Sequence, residues 1–364
     1  MRRILGPIFA LLLAATWFAV WTFAHFEGFR LWPWALLPLL LIGSFFPLIL
    51  LSYRTRAPWL AGLSVVTGVS LGFLTYFVLA AFACGITWEG ARALGIAANA
   101  GAIASWSYRA AALAGLAALY GGSWLRTTHV TIKLAHLPAF WDGRTIALVS
   151  DIHLGNFRGA GFSRRVVARL MTLRAECILV GGDMFDGVKI DVARAVEPWS
   201  KLRAPSGVYF VGGNHDDYGG RNAYFAALRR VGMRVLENEK VEVHGLQLVG
   251  VHDQEMHRPE TYRAILERAA VDRMRASILL AHRPENLAVP EAAGISLQLS
   301  GHTHGGQFWP WTLVAGRVHG RFARGLHQFG RMAVFTSTGA GTWGPPFRLG
   351  TRSEVVLIRL EAGG

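Results

Sequence analysis

Residues 146–153 read Ile146-Ala147-Leu148-Val149-Ser150-Asp151-Ile152-His153, and residues 178–186 read Ile178-Leu179-Val180-Gly181-Gly182-Asp183-Met184-Phe185-Asp186. Each is a short apolar run closed by a polar cluster. Such a run, bounded by turn signals, fits a strand buried on both faces. Three more follow. Val208–Val211 ends in Gly212-Gly213-Asn214-His215, Ile278–Leu280 ends in Ala281-His282, and Leu297–Leu299 leads into Gly301-His302-Thr303-His304. Helical patterns at 162–173, 191–202, 220–231 and 259–271 separate several of these runs, so the spacing predicts an α/β domain. In a sheet flanked by helices, the loops at the strand ends converge on one edge. Five such loops would place carboxylates, imidazoles and one amide together.

The candidate donors are Asp151, His153, Asp183, Asn214, His282, His302 and His304. Oxygen mixed with imidazole suits Mn, Fe or Zn better than calcium. Seven donors exceed the need of one tetrahedral ion and fit two divalent metal ions sharing a carboxylate. Two ions about 3.5–4 Å apart can hold a hydroxide and clamp a phosphate for in-line displacement. Singly, none of these residues is diagnostic, since Asp-x-His arises often by chance. The ordered set, each member behind a strand, carries the reading.

These blocks, with Asp186 after Asp183 and Asp216 after His215, resemble the calcineurin-like metallophosphoesterases over roughly residues 140 to 360. The resemblance implies a four-layer αββα sandwich of two sheets flanked by helices. It implies that Asp151, His153 and His304 hold one metal, that Asn214, His282 and His302 hold the other, and that Asp183 bridges them. It makes His215 a catalytic residue, lying over the phosphate and protonating or stabilising the leaving group. Asp186 and Asp216 then orient the ligands from behind.

Composition divides the chain. Hydrophobic residues make up 52% and charged residues 16%, which excludes disorder, and two Cys exclude a disulfide scaffold. Residues 1–126 hold two acids, Glu27 and Glu89, and eight Arg; the remainder holds every Lys and every His except His25. We therefore expect a four-helix transmembrane region over 1–126 and the metal-binding domain over 127–364. The apolar runs lie near 4–26, 32–51, 59–84 and 94–119, each about the 20 residues a bilayer requires. Arg2, Arg3, Arg54 and Arg56 bias the topology towards an inside N-terminus. That orientation places a multi-pass protein in the inner membrane with its catalytic domain facing the cytoplasm. Trp21, Trp32, Trp34, Trp59 and Trp88 fall near span ends, and Arg109 is the ionisable group well inside a span. The plain span interiors argue against a transporter. The net charge of +14 is split between both parts, so no nucleic-acid partner is expected.

The continuation Gly301–Gln307, the run Thr338–Arg348 and a closing strand at 353–360 resemble the membrane-associated bacterial YkuE-like and YaeI-like branch of that family. Some relatives of that branch hydrolyse UDP-2,3-diacylglucosamine in lipid A synthesis. The expected function is a membrane-anchored two-metal phosphoesterase that cleaves a phosphodiester or diphosphate of a phospho-lipid or nucleotide-lipid. Trp309, Trp311 and Arg317, with Arg158 and Arg164 in a second segment, are the expected contacts to substrate or bilayer. One alternative is a general phosphodiesterase or phosphatase on soluble substrates, tethered by its helices. Another is a non-catalytic membrane metal-binding sensor, against which the intact donor set and His215 argue.

Overall fold

A computed structural model of the protein describes residues 2–30, 32–52, 55, 58–155, 157–187 and 190–363. Of residues 2–5, 32–34, 52 and 58, only the backbone is described. Arg54 and Arg56, and the side chains of Arg2, Arg3, Trp32 and Trp34, lie outside the described residues.

The chain forms two compact units. The first comprises residues 1–121 together with Gly344–Phe347. It contains helices α1 (Arg2–Glu27), α2 (Trp32–Ser52), α3 (Pro58–Ala93) and α4 (Ala100–Ser123). Three stretches, Gly6–Glu27, Trp59–Ala93 and Ala100–Ser123, are long and apolar enough to cross a membrane. The described apolar part of α2, Ala35–Leu51, is shorter, so three such helices are found among the described residues. Leu11, Leu40, Ile86 and Leu113 point outward, as lipid-facing side chains would. Ser105 Oγ donates to Glu27 Oε1 at 2.6 Å, and Tyr108 OH donates to the Ala19 carbonyl at 2.5 Å, joining α4 to α1. Arg109 is exposed and lies over the Trp106 ring at 5.5 Å. Phe347 packs edge-on against Phe73, with ring centroids 5.4 Å apart.

The second unit comprises residues 122–343 and 348–364. Its first strand starts at Leu125. The strands are β1 (Leu125–Leu134), β2 (Thr145–Val149), β3 (Leu154–Gly155), β4 (Cys177–Val180), β5 (Phe185–Asp186), β6 (Val208–Phe210), β7 (Arg234–Val235), β8 (Glu239–Val243), β9 (Leu246–Val251), β10 (Ser277–Ala281), β11 (Leu297–Ser300), β12 (Gly325–Phe329), β13 (Met332–Thr336) and β14 (Ser353–Ala362). The helices are α5 (Ala160–Leu173), α6 (Val192–Val196), α7 (Arg221–Arg230), α8 (Asp253–Met256), α9 (Pro259–Ala269), α10 (Ala288–Ala293) and α11 (Trp311–His319).

One sheet has the order β1-β14-β2-β4-β6-β7, the other β12-β13-β11-β10-β9-β8. Strands β2, β4, β6 and β7 run parallel, as do β9, β10, β11 and β13. Side-chain alternation sorts each apolar run between two layers. Ile146, Leu148, Cys177 and Leu179 meet Ile278, Leu280, Leu297 and Leu299 between the sheets. Ala147, Val149, Ile178 and Val180 turn outward onto Phe162, Val166, Leu170, Phe225 and Leu228 of α5 and α7. Leu279 and Ala281 turn the other way, onto Tyr262, Ile265 and Leu266 of α9. The result is the expected αββα sandwich. Burying both faces is why these strands read as unbroken apolar runs. Each fully buried aliphatic side chain contributes about 1.5–3 kcal/mol.

Candidate metal centre

The parallel strands end on one edge, and their following residues make the site. Asp151 and His153 follow β2, Asp183 follows β4, Asn214 follows β6, His282 follows β10, and His302 and His304 follow β11. Five of these seven have left-handed backbone: Asp151 (φ 52°), His153 (52°), Asp183 (50°), His302 (69°) and His304 (50°). Sparsely populated backbone of this kind costs about 1–3 kcal/mol per residue and persists where surrounding structure enforces it. The chain reverses sharply at each strand end, and the side chains turn back into one centre. Hydrogen bonds hold the reversals. Ile152 and His153 amides both donate to the Asp183 carbonyl, and the His302 amide donates to Asp151 Oδ1 at 2.9 Å. Two glycines permit the approach. A Cβ on Gly213 would lie 2.2 Å from Asp183 Oδ1, and one on Gly301 would lie 2.2 Å from Asp151 Oδ2.

Donor atoms of Asp151, His153 and His304 lie within 4.8 Å of one another, and so do those of Asp183, His282 and His302. Asp183 Oδ2 stands 3.1 Å from His282 Nε2 and 3.9 Å from His153 Nε2, so one carboxylate reaches both groups. Asn214 is the one amide of the set. Its Oδ1 is buried without a hydrogen-bond donor, whereas buried carbonyl oxygens are nearly always paired. A cation is the partner such an acceptor suits.

The electrostatics agree. Burial pushes His153 down to about 4 and holds His302 and His304 below their ordinary range, keeping these imidazoles neutral, as ligation requires. Burial pulls His282 the same way, but Asp183 and then Asp151 overcome it and drive it up to about 10. The two carboxylates thus favour positive charge between them. Donor atoms of Asp151, His153 and His304 are close enough to hold one divalent ion, and those of Asp183, His282 and His302 a second.

His215 lies beside this set. Its amide donates to Asp183 Oδ1 at 2.8 Å, and its Nδ1 donates to Asp186 Oδ1 at 3.0 Å. Burial lowers its pKa, but the Asp186 bond and the Asp183 charge outweigh burial and raise it above 6.5. Asp216 is fully buried and accepts from the amides of Gly213 and Phe185, tying together the segments that carry Asn214 and Asp186.

A model of the calcineurin-like phosphoesterases matches residues 144–306. An uncharacterized metallophosphoesterase of Aquifex aeolicus is 31% identical over 250 residues, covering 66% of this chain and 93% of that protein. The chain belongs to the calcineurin-like phosphoesterase family. Another member, the uncharacterized metallophosphoesterase YkuE of Bacillus subtilis, is 28% identical over 281 residues, with 72% and 94% covered. A transmembrane protein with metallophosphoesterase domain of Danio rerio is 31% identical over 283 residues, with 71% of this chain and 64% of that protein covered. The chain likewise spans 64% of the length of a Helicobacter pylori relative.

Within this phosphoesterase domain the expected contact residues divide. Trp309 and Trp311 are exposed, as are Arg164 on α5 and Arg317 on α11. Arg158 is not available to a headgroup. It is 7% exposed, donates to the Gly122 carbonyl at 2.8 Å and to Thr342 Oγ1 at 3.2 Å, and stacks over Phe162. Its charge is spent inside the fold, which its sequence neighbours could not indicate. Sequence reasoning also missed several residues at the centre. Tyr218 and Trp343 flank His215, with ring centroids 4.9 and 6.2 Å from it. Gln307 fixes Trp343, accepting from its amide and donating to its carbonyl. His319, at the end of α11, faces His302 with centroids 6.4 Å apart. The sequence signal for Gln307 was its place directly after His304-Gly305-Gly306, and for Tyr218 its place three residues after His215; Trp343 and His319 lie too far along the chain for spacing to link them to His215 and His302.

Proposed function

We propose that the protein is a membrane-anchored, metal-dependent phosphoester hydrolase. Its substrate in this reading is a phospho-lipid or nucleotide-lipid such as UDP-2,3-diacylglucosamine, met at the cytoplasmic face of the inner membrane. The observation that carries the lipid reading is α11. Residues 311–319 form a helix with no buried residue. Trp311, Val314, Ala315 and Val318 fall at the i, i+3, i+4, i+7 positions of one apolar stripe. Trp311 is 50%, Val314 51% and Val318 69% exposed. Arg317, Arg321 and Arg324 are exposed around it. The helix is seated on the metal-centre turn, for a Cβ on Gly306 would lie 2.4 Å from the Trp311 carbonyl. Apolar stripe, tryptophan and Arg together suit acyl chains beside anionic headgroups. Three membrane-length helices in the same chain keep it near such a substrate.

Ions bound by the seven donors would polarise the phosphoryl oxygens and supply hydroxide near neutral pH. The chain's own residues do the rest. Asp183 reaches both donor groups and fixes their separation. The neutral imidazoles donate lone pairs. Asp186 holds the Nδ1 proton of His215, which turns Nε2 towards the open side as a proton donor for the leaving oxygen.

The test uses the full-length protein in detergent with Mn²⁺ and UDP-2,3-diacylglucosamine, with Asp183→Asn as control. UMP release by the wild type alone supports the proposal. Cleavage of a soluble diester without UMP release rejects this lipid substrate. Cleavage of neither rejects the hydrolase reading.

A further inference from the structure

Arg348 is 1% exposed and among the largest fully buried side chains of the protein. Among the described residues no carboxylate lies within ion-pair distance of it, although Asp151 and Glu354 attract its charge. Instead its guanidinium is divided between two parts of the metal centre. Nη1 donates to the His304 carbonyl at 3.0 Å and to Thr351 Oγ1 at 3.3 Å. Nη2 donates to the Gly341 carbonyl at 2.6 Å and to the Gly339 carbonyl at 3.4 Å, and stands 3.0 Å from His304 Nδ1. A metal held by His304 Nε2 needs the ring proton on Nδ1, so the bond by which Arg348 positions His304 in a loaded site is the one to its carbonyl. That Nε2 lies 3.1 Å from His153 Nε2 and 3.6 Å from Asp151 Oδ1.

The far side of the fork matters equally. The loop carrying Gly339 and Gly341 is stitched to Asp151. The Ala340 amide donates to the Ser150 carbonyl at 2.9 Å, and the Gly341 amide donates to the Asp151 carbonyl at 2.7 Å. A Cβ on Gly339 would lie 2.7 Å from Asp151 Cβ. Glu354 anchors the same loop by accepting from the Thr338 amide and hydroxyl. One side chain therefore connects the His304 backbone to the backbone against which Asp151 rests. Burying a cation without a carboxylate is costly, and replacing such a group by an apolar one is often neutral or stabilising. Stability alone does not account for an arginine here.

We propose that Arg348 is a positioning residue for one ion of the pair. It sets the distance and orientation of His304 relative to Asp151, and so assembles the Asp151–His153–His304 position without touching the Asn214–His282–His302 position. The proposal rests on the two-ion reading of the centre.

The experiment counts ions. Full-length wild type, Arg348→Met and Arg348→Lys are purified in detergent and dialysed against Mn²⁺. Bound metal is measured by elemental analysis, and the Mn²⁺ spectrum by electron paramagnetic resonance. The wild type is expected to hold two ions with a spin-coupled signal. R348M is expected to hold one, with the spectrum of an isolated Mn²⁺ ion, and to melt close to wild type when a chelator has stripped both proteins of metal. R348K keeps the charge but not the fork, and should bind its second ion about 10–100-fold more weakly. Two ions at unchanged affinity in R348M overturn the proposal, and so does equal loss of both ions. Should R348M not fold, unchanged binding of both ions by R348K overturns it. Fewer than two ions in the wild type overturns the two-ion reading itself.

Discussion

His215 Nδ1 and Asp186 Oδ1 lie 3.0 Å apart, and the other oxygen of the same carboxylate lies 3.8 Å from His153 Nδ1. One side chain thus stands behind both a candidate metal ligand and the candidate proton donor. The two-residue pairing of β3 with β5 sets this up, since Gly155 registers against Asp186.

Replacing His215 should separate metal binding from turnover. We expect His215→Ala to retain its bound metal while losing about 10²–10⁴-fold in kcat on a model diester. Asp186→Asn should lose about 10–100-fold in activity, because an amide orients the imidazole less strongly than a carboxylate. Elemental analysis beside steady-state kinetics checks both. Loss of metal in H215A would remove His215 from the role of proton donor.

Asp183 is the carboxylate that both donor groups face. Asp183→Asn should lose bound metal and nearly all turnover, whereas Asp186→Asn should not lose metal to that degree. Metal content per chain in the two variants is the comparison.

Removing the ions should lower thermal stability. An ion bound only by the folded protein adds about 2.7 kcal/mol at 100 times its Kd. A chelator should therefore reduce the melting temperature of the wild type, Mn²⁺ should restore it, and D183N should show little response. A thermal scan with and without chelator reads this directly.

Gly213 offers a steric test. A methyl group there meets Asp183 Oδ1 and the Asp183 amide, neither of which sits at the end of a flexible chain. Gly213→Ala should cost about 1–3 kcal/mol by overpacking and should weaken metal binding. Gly159, whose added Cβ would meet nothing within 4 Å, is the control: Gly159→Ala should leave metal binding unchanged.

The uncovered stripe of α11 makes a prediction about substrate form. Trp309→Ala with Trp311→Ala should reduce activity on a lipid substrate in liposomes several-fold more than activity on a soluble diester. Equal losses on both would detach the helix from lipid recognition.

The centre was legible in the sequence because its chemistry is tied to strand ends. Val149 precedes Asp151 by two residues, Val180 precedes Asp183 by three, and both apolar runs are unmistakable. Arg348 was not legible, because its value comes from a bond to His304 that only the folded sheet order creates. Arg158 misled for the converse reason: an arginine in a loop reads as exposed unless its partners, here Gly122 and Thr342, are known. An apolar run and the helix that contains it need not end together. The apolar run of α3 stops near Cys84, yet the helix continues to Ala93, where a Glu89–Arg92 pair supports its last turns and Gly95 follows with φ 67°. Hydropathy marks the lipid-like portion, and capping marks where the hydrogen bonding stops.

The pairing of β1 with β14 bears on how the protein is made. β1 follows α4 almost at once, yet its sheet partner is β14, and β14 alone links it to β2. As the polypeptide leaves the ribosome, β1 emerges first and waits without its partner while the residues of both sheets are added. A messenger cut short before Ser353 would yield a product with every metal donor present and its first strand detached from the sheet. Such a product would expose an unpaired strand edge, the kind of surface on which other chains can pair.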